Sequence, residues 1–196
     1  MPDKRKTKKV LIVTGEPSGD LHASYLVQAM LSLDPDVYCY GMGGEKLRAA
    51  GAHIVFDIAE LSVMGITEVV RHFGKIYRVF TTLKGLLKND RPDLVILVDY
   101  PDFNLRLAKV AHKYGVPVLY YISPQIWAWR TSRIKQIGRV VKKMLVVFPF
   151  ERPLYEEAGI DVTFTGHPLL DIVKPTKSKE ENTKHFGLDP HKKTIG

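Results

Sequence analysis

Residues 94–98, Leu-Val-Ile-Leu-Val, form an apolar run without alternation that stops at Asp99-Tyr100-Pro101-Asp102. A strand with one wet face alternates; one with no polar position is buried on both faces, as in a parallel sheet covered by helices. Pro101 cannot donate to a ladder and Asn104 suits a helix N-cap, so a tight turn and then a helix over 105–114 are expected. Asp99 and Asp102 then stand at the carboxyl end of a central strand, the edge at which open α/β sheets bind ligands. Two carboxylates there suit acid–base work. The structural alternatives are that Asp102 helps to cap the helix and that Asp99 only ties down the turn.

The same grammar recurs along the chain. Residues 10–14 read as a first buried strand, and Gly15-Glu16-Pro17-Ser18-Gly19-Asp20 as the turn into a helix reaching about Leu33. The three-to-four spacing of Leu21, Tyr25, Leu26, Ala29, Met30 and Leu33 makes them its expected buried face. Gly15 and Gly19 fit neither G-x-G-x-x-G nor G-x-x-x-x-G-K-[ST], so dinucleotide and P-loop readings fail on spacing. Glu16 shares a crevice with Asp99 if their two strands are neighbours; otherwise it is an exposed turn residue. Residues 37–40 and 53–56 read as strands, with Gly41-Met42-Gly43-Gly44 as a turn into a helix ending at Ala50. Further strands are expected at 116–122, 144–148 and 162–165. With 94–98 they make an α/β, Rossmann-like, doubly wound and mostly parallel sheet of about seven strands.

Residues 66–88 are the most amphipathic stretch. Val69, Val70, Phe73, Ile76, Tyr77, Phe80, Leu83 and Leu87 keep helical spacing, while Arg71, Lys75, Arg78, Lys84 and Lys88 lie mostly elsewhere around the helix. Core packing explains such a stripe; so does a helix lying against anionic lipid. Ser123 opens a loop that holds both tryptophans, Trp127 and Trp129, followed by Arg130 and a basic helix expected over 130–143. Exposed, these rings offer a platform to a sugar, acyl chain or base; buried, they fill a gap. His167, between Gly166 and Pro168, reads as a turn or hinge residue, and without a partner His or Cys at ligand spacing no metal site is assigned.

Charge restricts the partners. The chain has 196 residues and a net charge of +8. Five basic side chains against Asp3 in residues 1–9, and six lysines against three acids in 174–196, leave about +1 on residues 10–173. No nucleic-acid-binding pattern accompanies these basic ends, so nucleic acid is not expected as a partner. The single Cys39 suits a reducing compartment, no stretch approaches the ~20 apolar residues of a spanning helix, and residues 10–13 are too short for a signal-peptide core. A cytoplasmic, soluble or peripheral protein is expected. The organisation reads as a basic tail (1–9), a Rossmann-like domain (10–173), and a linker (174–196) ending at His191-Lys192-Lys193-Thr194-Ile195-Gly196 in the first step of a new buried strand.

Six stretches resemble one family, the lipid-A-disaccharide synthases, which are glycosyltransferases of the GT-B type. They are Gly15-Glu16-Pro17-Ser18-Gly19-Asp20, Glu60-Leu61-Ser62-Val63-Met64-Gly65-Ile66, Asp99-Tyr100-Pro101-Asp102-Phe103-Asn104, Ser123-Pro124-Gln125-Ile126-Trp127-Ala128-Trp129-Arg130, Phe148-Pro149-Phe150-Glu151 and Gly166-His167-Pro168. They lie in family order along nearly the whole chain. The resemblance implies the N-terminal half of a GT-B fold and transfer of a diacylglucosamine from its UDP derivative to diacylglucosamine 1-phosphate. The products are a β-1,6-linked disaccharide and UDP. It also implies inversion, no cofactor or required metal, and a peripheral place on the cytoplasmic face of an inner membrane. In that family the carboxylate matching Asp99 is similar to a base for the acceptor hydroxyl, and the one matching Glu16 shares its cleft. Gly15, Ser18, Gly19, Asp20, Met64, Asp102, Asn104, Ser123, Trp127, Trp129, Arg130 and His167 are the substrate-binding candidates. The acceptor's acyl chains suit residues 61–87, and its phosphate suits the basic residues near Arg130.

Most nucleotide-sugar contacts in such enzymes come from a second domain, of which only the first residues are expected here, so this chain alone is expected not to turn over. Oligomerisation is left open. Two alternatives stand beside this reading. One is another GT-B relative acting on UDP-N-acetylglucosamine, as a transferase or an epimerase. The other is a non-catalytic binding module on the same fold.

Overall fold

The computed structural model describes residues 7–60, 69–124, 132–174 and 176–194. They fall into two compact units, Met1–Gly166 and His167–Gly196. The first is built on seven strands: β1 (Lys9–Thr14), β2 (Tyr38–Gly43), β3 (His53–Asp57), β4 (Leu94–Val98), β5 (Val118–Tyr121), β6 (Lys143–Val146) and β7 (Asp161–Phe164). They form one sheet in the order β3-β2-β1-β4-β5-β6-β7, and every adjacent pair is parallel. Parallel neighbours need crossovers, which are supplied by helices α1 (Pro17–Leu33), α2 (Glu45–Ala49), α3 (Val69–Asn89), α4 (Pro101–Lys113), α5 (Ser132–Val140) and α6 (Glu151–Glu156).

Each central strand sends alternate side chains into two cores, which is why the 94–98 run has no polar position. Val95 and Leu97 of β4 join Leu11 and Val13 of β1 beneath Val79, Leu83 and Leu87 of α3 and Leu107 and Ala111 of α4. On the other face Ile96 and Val98 join Val10 and Ile12 beneath Ala23 and Val27 of α1 and Leu47 of α2. The chain winds outward from β1 to β3, then returns to β1's other side to lay down β4. The strand order therefore reverses between β1 and β4, and a crevice opens there at the carboxyl edge.

Four expectations need correction. The fully buried residues of α1 are Gly19, Asp20, His22, Ala23, Ser24 and Val27; of the expected apolar face Leu26 and Met30 pack partly buried against the core, whereas Tyr25 is exposed and Leu33 is 87% exposed. Small residues face the sheet because helix and strand pack closely. Gly41, Met42 and Gly43 belong to β2, not to a turn: a Cβ at Gly41, whose φ is +145°, would run into the Ile12 carbonyl of β1. Tyr77 of the amphipathic helix is 71% exposed, and Val79 and Leu86 fill the stripe in its place. Asn104 does not cap a helix at 105; it lies inside α4, which begins at Pro101 after Tyr100.

In the second unit, α7 (Leu169–Ile172) is followed by α8 (Lys179–His185). A capping box closes α8: Glu181 N–H donates to Ser178 Oγ at 3.1 Å and Ser178 N–H to Glu181 Oε2 at 2.7 Å. The strand expected from His191 does not form among the described residues, since 191–194 are exposed and irregular. No described helix is long and apolar enough to cross a membrane.

Candidate active site at the β1–β4 crevice

Thr14 and Val98 are register partners at the ends of β1 and β4, so the turns that follow leave the sheet side by side. They also touch. A Cβ on Gly15 would overlap the ring of Tyr100, so only glycine lets the second turn lie on the first. Glu16 is exposed at the start of α1. Burial raises the pKa of the Tyr100 phenol, and the Glu16 charge adds to the rise. Glu16 and Asp99 thus flank the point where the strand order reverses.

Behind Gly15 the helix is pulled tight against its strand. A Cβ on Gly19 would meet Thr14 Oγ1 at 2.6 Å, while that hydroxyl donates to the Glu16 carbonyl at 3.2 Å. Asp20 is only 4% exposed, and its carboxylate points away from the crevice into the first turn of α2. It accepts from the backbone N–H of Gly44 at 2.6 Å, Lys46 at 3.1 Å and Leu47 at 3.2 Å. That makes it a remote cap for α2, whose own N-cap, Gly44, has no side chain to do this. Ser18 is exposed on the first turn of α1.

The β4 turn is strained and clamped. Asp99 and Tyr100 both adopt left-handed backbone, with φ of +50° and +48°, at a cost of about 1–2 kcal/mol each for residues bearing a Cβ. Three groups hold them there. Tyr120 of β5 donates its O–H to the Asp99 carbonyl at 2.6 Å. Asn104 Nδ2 donates to the same carbonyl at 2.7 Å and to the Val98 carbonyl at 3.2 Å. The Tyr100 ring stacks on Phe103 at 5.4 Å, and Phe103 in turn meets Phe80 of α3 edge-on at 5.6 Å. Tyr120 and Asn104 are fully buried. Burial first, and the Asp99 charge next, push the Tyr120 phenol well above its usual range. Asp102 is exposed in the first turn of α4.

One strand further along, after β5, Ser123 is buried and committed to protein: its hydroxyl donates to Glu151 Oε1 at 2.6 Å. Glu151, 1% exposed, also takes the Phe148 N–H on Oε2 at 3.1 Å. Tyr155 donates to the Pro124 carbonyl at 3.0 Å. These bonds tie the segment that follows β5 to α6. Phe148 and Phe150 stack on the same edge, 5.6 Å apart.

The structure therefore gathers Gly15, Glu16, Ser18, Gly19, Asp99, Asp102 and Asn104 at one crevice, with Ser123 further along the same sheet edge. His167 falls in the second compact unit, where its Nδ1 accepts the Leu169 N–H at 3.2 Å. Met64, Trp127, Trp129 and Arg130 lie outside the described residues. Among the described residues no group of three His, Cys, Asp or Glu comes together as a metal site does.

A crevice with a carboxylate on each side of a reversal point suits transfer to a sugar hydroxyl, and the comparisons with known proteins bear on the same question. The family model for lipid-A-disaccharide synthetase matches residues 10–196. The chain belongs to this family. A lipid-A-disaccharide synthase from Geobacter metallireducens is 56% identical over 189 residues, 96% of this chain and 49% of the relative. One from Syntrophus aciditrophicus is 52% identical over 182 residues, 93% of this chain and 48% of the relative. The chain thus spans about half the length of the curated relatives it matches. Among solved structures, a UDP-GlcNAc 2-epimerase from Neisseria meningitidis bound to UDP-GlcNAc superposes with a TM-score of 0.59 at 15% identity. The match covers 91% of this chain and 53% of the epimerase. It shows a shared GT-B-type fold and nothing further.

Sequence reasoning missed Tyr100, Tyr120 and Glu151 as parts of the site. A tyrosine inside a buried strand calls for a partner for its hydroxyl, a rule that points to Tyr120 and Tyr121 in Val118–Tyr121 without choosing between them.

Proposed function

We propose that this chain forms the acceptor-binding half of a glycosyltransferase that joins a UDP-linked diacylglucosamine to diacylglucosamine 1-phosphate. The acceptor's 6-hydroxyl attacks C1 of the donor from the side opposite the diphosphate. As the new C–O bond forms, the bond from C1 to the phosphate oxygen breaks, UDP leaves, and Asp99 takes the hydroxyl proton. The sugar carbon inverts in this single displacement. Glu16, across the crevice, binds the acceptor and keeps its hydroxyl facing Asp99. Asp102 at the crevice mouth, and Met64, Trp127, Trp129, Arg130 and His167, are proposed to contact substrate, with Arg130 meeting the acceptor phosphate. UDP is held by a second domain, so the chain alone is not expected to turn over. Its exposed basic side chains on α3, with Lys75, Arg78 and Lys84 among them, suit a peripheral position on an anionic membrane surface.

The observation that carries this reading is the pairing of Thr14 with Val98, which sets two carboxylates from residues 83 positions apart on one crevice. The test has two stages. Titration of the chain with diacylglucosamine 1-phosphate should give saturable binding that UDP does not displace. In the complete polypeptide that carries these residues, Asp99→Ala should then lower UDP release by about 100-fold or more, the scale of removing a general base. Unchanged release would remove Asp99 as the base and favour a binding module.

A further inference from the structure

The pair of left-handed residues at the end of β4 is held by two side chains that cannot themselves reach a substrate. Tyr120 and Asn104 are each 0% exposed, yet both spend a donor on the Asp99 carbonyl, at 2.6 and 2.7 Å. Asn104 does so at a disadvantage, because its own Oδ1 is buried without a hydrogen-bond partner. Stability alone disfavours an amide with one unpaired end in a core position. The arrangement does accomplish one thing: it fixes the Asp99 backbone at φ +50°, a conformation that is costly for a residue bearing a Cβ. With the backbone locked there, the Cα–Cβ bond of Asp99 leaves the strand end in a fixed direction, which limits where its carboxylate can reach. Strain of this kind persists where surrounding contacts over-determine it, and it gathers at functional sites.

We infer that Tyr120 and Asn104 are positioning residues, which act on the reaction by aiming the Asp99 carboxylate across the crevice. Asn104, expected from the sequence to touch substrate, does its work from beneath the site. This inference rests on the reading of Asp99 as the base. The Tyr120 hydroxyl lies on β5, so the aim of a β4 residue is set from the neighbouring strand. Gly15 completes the frame by admitting the Tyr100 ring between the two turns.

The experiment is a double-mutant cycle in the complete polypeptide that carries these residues, with UDP release measured at saturating substrates. Tyr120→Phe removes one hydroxyl and no volume; Asn104→Leu, of similar size, removes the amide donors and carries the test if the first variant does not fold. Each should lower kcat about 10- to 100-fold, the scale of a misplaced catalytic group, with KM within about twofold of the parent. In an Asp99→Asn background neither should cause a further loss, because both act through the carboxylate that is already gone. Parental kcat in Tyr120→Phe would overturn the inference, and so would a loss that repeats in full in the Asp99→Asn background. If Asp99→Asn itself retains parental activity, the base assignment fails instead, and the two failures are told apart by that single control.

Discussion

Asp20→Ala should separate a structural carboxylate from a substrate ligand. The side chain is 4% exposed and holds three backbone amides at the start of α2. Its removal leaves the Gly44 and Leu47 N–H groups buried without an acceptor, at about 1–3 kcal/mol each, while the Lys46 N–H is near enough to solvent to find water. The expected loss is about 4 kcal/mol. For a chain of this length each kcal/mol moves Tm by about 2–4 °C, so Tm should fall by about 10 °C or more. Asp20→Asn keeps one acceptor oxygen and loses the charge, and should fall about half as far. Thermal and urea unfolding of the 196-residue chain, followed by circular dichroism, reads both variants. The reasoning is refuted if Asp20→Ala melts within about 2 °C of the parent. If such a variant also loses binding of the sugar phosphate, Asp20 is a ligand after all.

Other consequences are equally direct. Gly41→Ala should be among the most damaging single-methyl additions, at about 3 kcal/mol or more, because the new Cβ meets the Ile12 carbonyl at a φ of +145°; urea midpoints measure it. Gly15→Ala should displace the Tyr100 ring and lower kcat in the complete polypeptide more than it lowers Tm. Burial raises the Cys39 thiol from its usual 9.0 to about 11. A raised folded-state value means that the contribution is whole below pH 9 and disappears as pH climbs from 9 to 11, by about 2–3 kcal/mol. Urea unfolding at pH 8 and pH 10.5 should show the drop, and Cys39→Ala should shrink it. Tyr40, raised from 10.0 to about 12, adds a later decline in the same direction. Finally, Glu151→Ala should cost about 3 kcal/mol, because it strands the Ser123 hydroxyl and the Phe148 N–H.

How much of this was legible in the sequence follows from what sequence patterns encode. Runs such as 94–98 report burial on both faces, so the seven strands and the α/β class could be read directly, and with them the carboxyl-edge position of Glu16 and Asp99. Patterns report hydrophobicity and not distance. The face of α1 was therefore misassigned to Tyr25 and Leu33, when close packing on the sheet selects Ala23 and Gly19. Gly41 looked like a turn because glycine breaks strands on average, whereas here it relieves a contact with the backbone of another strand. Asn104 looked like a cap because asparagine ends many helices, and nothing local shows that its amide reaches back to carbonyls at 98 and 99. Asp20 looked like a ligand because its partners, at 44 to 47, are a helix away in sequence.

The central position of β1 also has a consequence for biosynthesis. The strand that is made first has one flank satisfied early by β2, but its other flank waits for β4, whose partner residues follow 84 positions later in the register from Val10 to Leu94. At roughly 5–20 residues per second of translation, that edge stays open for about 4–17 s. During that time an apolar ribbon from Val10 to Val13 is available to any other extended segment. Closing it demands a long loop before any pairing is gained, so folding is expected to be slow for a chain of this size. The nascent chain should accordingly depend on chaperones from the emergence of β1 until residue 98 has cleared the ribosome, and ribosome profiling of chaperone occupancy would place that interval.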